Sequence, residues 1–83
     1  MRAGRPRLTL YVRDGCALCE DLHADLLAFQ AQLEFDLVAV DIDRDPALRA
    51  RYDTRVPVLI ADDREVCNYF LDPVALRGAL TAE

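Results

Sequence analysis

Five apolar residues, Cys19, Leu22, Leu26, Phe29 and Leu33, recur at steps of three and four between two runs rich in strand formers. That spacing is one stripe of an amphipathic helix, predicted from Ala17 to about Gln32. The run before it, RLTLYVR at 7–13, alternates and reads as a strand. The run after it, FDLVAVDI at 35–42, reads as a second strand, apolar enough to be covered on both faces. A strand, a long helix and a strand in that order predict a parallel pair with a right-handed crossover.

The second half adds shorter elements. Asp45-Pro46 pairs an N-cap residue with proline at the first helical position and opens a helix through about Tyr52. Val56 to Ile60 reads as a third strand, in which Pro57 fits only at the start. Asp62-Asp63 marks a turn into a fourth strand, Arg64 to Asn68, and the last two strands form an antiparallel hairpin. Asp72-Pro73 repeats the cap signature and opens a final helix to about Thr81. The order is βαβαββα, an α/β fold with a four-stranded mixed sheet flanked by three helices. Residues 1–6 read as an N-terminal tail and 7–83 as a single domain.

Composition narrows the function classes. The net charge of −5 argues against a nucleic-acid partner, because phosphate binding needs a surplus of Lys and Arg. The basic residues at 2, 5, 7 and 13 are scattered and read as solvated charges. No apolar stretch approaches a membrane span, and MRAGRPRLTL has no apolar core of a signal peptide behind its charges. Three cysteines do not make a disulfide framework, so a reducing cytoplasm is the expected location.

In that setting the DGCALCED stretch is the main candidate site. Cys16 falls just after the first strand, at the first turn of the long helix, where free N–H groups and the helix dipole favour an anion. A thiolate is such an anion, so Cys16 is expected to attack a disulfide. Cys19 heads the apolar stripe one turn on, less exposed and placed to resolve the mixed disulfide. Asp14, Glu20 and Asp21 surround the pair, opposed by Arg13, which moderates the activation. The same cysteines could instead be inert packing. With His23, four residues after Cys19, and Cys67 as a fourth ligand, they could also hold a metal.

CxxC after the first strand of a βαβαββα chain, with Val56-Pro57 opening the third strand, resembles the thioredoxin superfamily. Length and short N-terminus resemble a small glutaredoxin-like protein, over residues 8 to 81. The resemblance implies a cis peptide bond before Pro57 and a Val56 backbone that pairs with an extended substrate. It also implies a substrate-binding surface of Val56 and Pro57 with the inter-cysteine residues Ala17 and Leu18. Glutaredoxins usually carry Pro and an aromatic at those two places. They usually also have Gly-Gly and an acidic residue after the fourth strand to hold glutathione; here that region is Cys67-Asn68-Tyr69-Phe70-Leu71-Asp72. Only Asp72, a helix cap, can stand in for the acidic residue. Thioredoxins keep a buried carboxylate in the strand before CxxC, where this chain has Leu10. A water or His23 would then serve Cys19 as base.

The expected function is a thiol–disulfide oxidoreductase in which Cys16 attacks and Cys19 resolves. The alternative is a non-catalytic module of the same fold that holds a metal or a protein partner through these cysteines. Cys67 is a possible third redox thiol. No metal and no tightly bound cofactor are expected, with glutathione possible only as a co-substrate. The expected partners are a disulfide-containing protein or a low-molecular-weight thiol, with no nucleic acid and no membrane, and the chain is expected to be a monomer.

Overall fold

The structure, a computed structural model, describes residues 6–81. Residues 1–5 of the expected tail, with Arg2 and Arg5, lie outside the described residues, as do residues 82–83. The elements are β1 (Arg7–Val12), α1 (Ala17–Gln30), β2 (Asp36–Asp41), α2 (Pro46–Tyr52), β3 (Val58–Ala61), β4 (Arg64–Asn68) and α3 (Pro73–Thr81). Short 3-10 turns at Ile42–Arg44 and Asp53–Arg55 flank α2.

Capping side chains set the helix starts. Asp45 Oδ1 accepts the Ala47 N–H at 2.9 Å with Pro46 leading α2. Asp72 Oδ1 accepts the Val74 and Ala75 N–H groups, both at 3.1 Å, at the start of α3. Each satisfies helix N–H groups that have no partner inside the helix. α1 ends at Gln30, two residues before the predicted end. The next amides fold back onto Ala28 and Phe29 carbonyls, which keeps Leu33 against the core.

The sheet order is β2-β1-β3-β4, with β1 parallel to β2 and antiparallel to β3, and β3 antiparallel to β4. Asp62 and Asp63, at φ 50° and 68°, close the hairpin in the double left-handed turn that matches strand twist. A bulge between Leu59 and Ile60 shifts the register, so Ile60 opposes Glu65 while Leu59 opposes Cys67. Val66 is the extra residue.

Two apolar clusters lie on the sheet. The larger joins Leu8 and Leu10 of β1, Leu22 and Leu26 of α1, Phe35, Leu59 and Leu76 of α3. The smaller joins Cys19, Ile42, Tyr52, Val56 and Val58, with Tyr11 and Leu48 packed against it. Alternation along β1 and β3 separates them: Leu10 and Leu59 point to one face, Tyr11 and Val58 to the other.

β2 departs from the expectation that both its faces are covered. It is an edge strand, and Val38 is 39% exposed. Val38 opposes Thr9, on the face that α2 covers, but α2 has only seven residues, about 10 Å of helix. That length roofs the Tyr11 end and leaves the Val38 end open. The apolar run in 35–42 records two ends that are buried, Phe35 and Ile42, more than a strand that is.

Candidate redox site

Gly15 turns the chain from β1 into α1 with φ 75°, a conformation glycine adopts without a Cβ penalty. Cys16 follows in extended conformation and is the N-cap residue of α1. Its sulfur takes the acceptor position that Ser or Asp usually fills: Sγ accepts the Cys19 N–H at 3.1 Å. Cys16 and Cys19 are joined as a disulfide, with Cα atoms 5.2 Å apart, inside the range a disulfide can bridge. The exposures differ. Cys16 is half-buried, whereas Cys19 is 3% exposed in the smaller cluster, against Ile42, Tyr52, Val56 and Val58. Ala17 is exposed and Leu18 half-buried in the first turn of α1.

Val56 and Pro57 precede β3 and are buried, and the peptide bond between them is cis. Pro57 O accepts the Tyr69 N–H at 2.9 Å, which ties this loop to the segment after β4. Tyr69 itself sits at φ 67°, a conformation unusual for a bulky residue, and its hydroxyl donates to Thr54 O at 3.0 Å. Glycine would take that backbone freely; here two hydrogen bonds hold a tyrosine in it.

Arg13, expected to oppose the acidic residues around the pair, is engaged elsewhere. Its guanidinium pairs with Asp43 and Asp53, each at 3.3 Å, and so fastens the loop before Cys16 to the turns flanking α2. These partners lie 30 and 40 residues away, which no local pattern announces. Both pairs are solvated, worth about 0–1 kcal/mol together with the positioning they provide. The Tyr11 and Tyr52 rings stack at 4.6 Å.

Cys67 falls in a different apolar cluster from the pair. It packs against the larger cluster, with Leu59 opposite, while Cys16 and Cys19 belong to the smaller one. Burial pushes its thiol up, the Asp72 backbone N–H draws it partly back, and the charges of Asp72 and Glu65 add to the rise. The folded thiol therefore keeps its proton to higher pH than the unfolded one. Its contribution to stability is full below the ordinary thiol range and is lost as pH rises through the elevated folded value. In the reduced protein at pH 8, iodoacetamide should label Cys16 well before Cys67, as read by mass spectrometry of the digested chain. Equal rates would contradict the burial.

His23 is half-buried one turn beyond Cys19. Together with Cys19, Arg13, Asp14, Glu20 and Asp41 it lines a groove of about 250 Å³. Asp41 reaches this groove through the parallel register that sets it beside Val12. Only the long-range pairing of strands shows that proximity. Among the described residues, no group of three or more His, Cys, Asp and Glu side chains is arranged to hold a metal ion. No described helix is long and apolar enough to cross a membrane.

Residues 7–81 match the glutaredoxin-like domain (DUF836). The chain belongs to the glutaredoxin-like domain family. Among solved structures, it is similar to protein Ne2328 from Nitrosomonas europaea, with 37% identity, a TM-score of 0.85 and 98% of each chain covered. It is also similar to protein XcR50 from X. campestris, at 43% identity and a TM-score of 0.68, covering 92% of this chain and 97% of that one. Mitochondrial thioredoxin 3 from Saccharomyces cerevisiae, in its oxidized form, is 16% identical with a TM-score of 0.66 over 96% of this chain and 80% of that one. That likeness shows the fold alone: the glutaredoxin-like chain has a thioredoxin fold. Family, fold and the bonded cysteine pair together support a thiol redox role.

Proposed function

We propose that this glutaredoxin-like domain is a thiol–disulfide oxidoreductase that cycles the Cys16–Cys19 pair. The observation that carries the proposal is the capping geometry: a half-buried sulfur at the N-terminus of a fourteen-residue helix, accepting a backbone N–H, bonded to a buried sulfur one turn inside. In the reduced protein the same N–H and the helix dipole stabilise a thiolate on Cys16. That thiolate attacks one sulfur of a substrate disulfide, releasing one substrate thiol and leaving a mixed disulfide. Cys19 then attacks Cys16 Sγ, releases the second thiol and closes the Cys16–Cys19 disulfide. Two electrons pass from the pair to the substrate, and a second thiol reductant must restore the dithiol.

The substrate is a disulfide-containing protein or a low-molecular-weight disulfide. Val56 and Pro57 face it, with Ala17 and Leu18 beside the attacking sulfur. Glutathione enters only as a co-substrate reductant, since Asp72 is engaged in capping α3 and Tyr69 and Phe70 fill the segment before it. A reducing compartment such as the cytoplasm suits this cycle.

The test is reduction of insulin disulfides by dithiothreitol, followed by turbidity, together with a redox titration of the pair. The protein should accelerate precipitation and titrate as one reversible two-electron couple between roughly −270 and −120 mV, the span of dithiol proteins of this kind. A pair that fails to accelerate the reaction, or does not re-oxidise after reduction, would overturn the proposal.

A further inference from the structure

In the proposed cycle Cys19 must shed a proton in the least favourable place. It is 3% exposed among Ile42, Tyr52, Val56 and Val58, and apolar surroundings raise the cost of a thiolate. β1 sets no carboxylate beside it: Leu8 and Leu10 are buried apolar residues of the other cluster, and Tyr11, packed against the Cys19 cluster, stacks its ring on Tyr52. The groove lined by Cys19, His23, Arg13, Asp14, Glu20 and Asp41 is the polar space this thiol adjoins. At about 250 Å³ it has room for several waters, each needing about 30 Å³ of liquid volume.

We infer that this groove is the proton exit of the resolving step, and that His23 accepts the Cys19 proton there through water. The inference rests on the exchange cycle proposed above. Three observations select His23. It stands four residues after Cys19 on α1, where side chains are neighbours, and both residues line the groove. A neutral imidazole is a stronger base than a carboxylate, which favours His23 over Asp14, Glu20 and Asp41 as acceptor of a thiol proton. Asp41 Oδ1 is also occupied by the Asp43 N–H at 2.9 Å. The one cation on the groove, Arg13, is held by Asp43 and Asp53.

The step balances. The Cys19 S–H proton passes to His23, the Cys19 sulfur bonds to Cys16 Sγ, and the bond from Cys16 to the substrate sulfur breaks. The substrate leaves as a thiolate and takes a proton from solvent, to which His23 returns its own.

Rapid mixing of the reduced protein with one equivalent of dithiobis-nitrobenzoate separates the two steps, in a Cys67→Ala background so that only the pair reacts. One thionitrobenzoate leaves as Cys16 attacks, and a second leaves as Cys19 resolves. In His23→Asn the first phase should stay within about twofold, while the second slows by about 10- to 100-fold at pH 7, at or below the lower part of the usual range for a general base. The gap should narrow at alkaline pH, as the thiol begins to ionise without the base, and added imidazole should restore the rate. His23→Gln and thermal unfolding of both variants control for helix damage. An unchanged second phase at pH 7, or one slowed equally at every pH without rescue, would overturn the inference. If the unsubstituted pair releases only one thionitrobenzoate, the exchange cycle itself fails and the inference with it.

Discussion

Replacing Cys19 with serine should stop the cycle halfway. Cys19→Ser protein treated with dithiobis-nitrobenzoate should release one thionitrobenzoate from the pair where the parent releases two, and mass spectrometry should find the other bonded to Cys16. With a protein disulfide as substrate, the variant should form a covalent complex that runs as one band without reductant and separates on adding dithiothreitol. The reason is geometric: Cys16 is the half-buried sulfur a substrate can reach, and only the Cys19 sulfur, one turn inside the helix, can take it back. Cys16→Ser should form no complex and lose turnover altogether. A serine hydroxyl at a 3% exposed position costs about 1–3 kcal/mol if it finds no partner, so Cys19→Ser should still fold. A complex that forms through Cys19 in the Cys16→Ser protein would reverse the two assignments.

Phe35→Ala should cost more stability than any change at the site. Phe35 is fully buried in the larger cluster, with Leu8, Leu10, Leu22, Leu26, Leu59 and Leu76. Truncating such a residue costs about 3–5 kcal/mol, transfer and cavity together. A domain of this size has roughly 5–15 kcal/mol in all. The thermal midpoint should fall by on the order of 15–30 °C, and the urea midpoint with it. The backbone is unaffected by the truncation, since the Gln30 side-chain amide donates to Phe35 O at 2.8 Å and not to the ring. A shift of only two or three degrees would mean the larger cluster does not carry the fold.

Where three or four residues decide an element, its beginning can be read directly from the sequence. Asp45-Pro46 and Asp72-Pro73 each contain their own cap and its proline, and α2 and α3 start there. The stripe from Cys19 to Leu26 likewise names its buried residues, and the CxxC spacing places the bonded pair at the start of α1. What could not be read depends on pairing between distant strands. An apolar run cannot tell an edge strand from a central one, so the exposure of Val38 follows only from the sheet order. Asp41 joins the groove beside Cys19 only because β2 runs parallel to β1 in a register that sets it against Val12. Arg13 finds its partners across the α2 turns for the same reason.

The bulge in β4 settles which sulfurs can meet. Counting straight back from the Asp62-Asp63 turn, Cys67 would oppose Val58, a residue of the smaller cluster. The one-residue insertion moves it opposite Leu59 instead. The odd sulfur thereby packs in the larger cluster, while the bonded pair packs in the smaller one. A chain with three cysteines has three ways to form one internal bond, and two of them are miswirings. Here those two would have to draw Cys67 out of one packed cluster and into the other, so a single irregularity in a hairpin protects the wiring of the site.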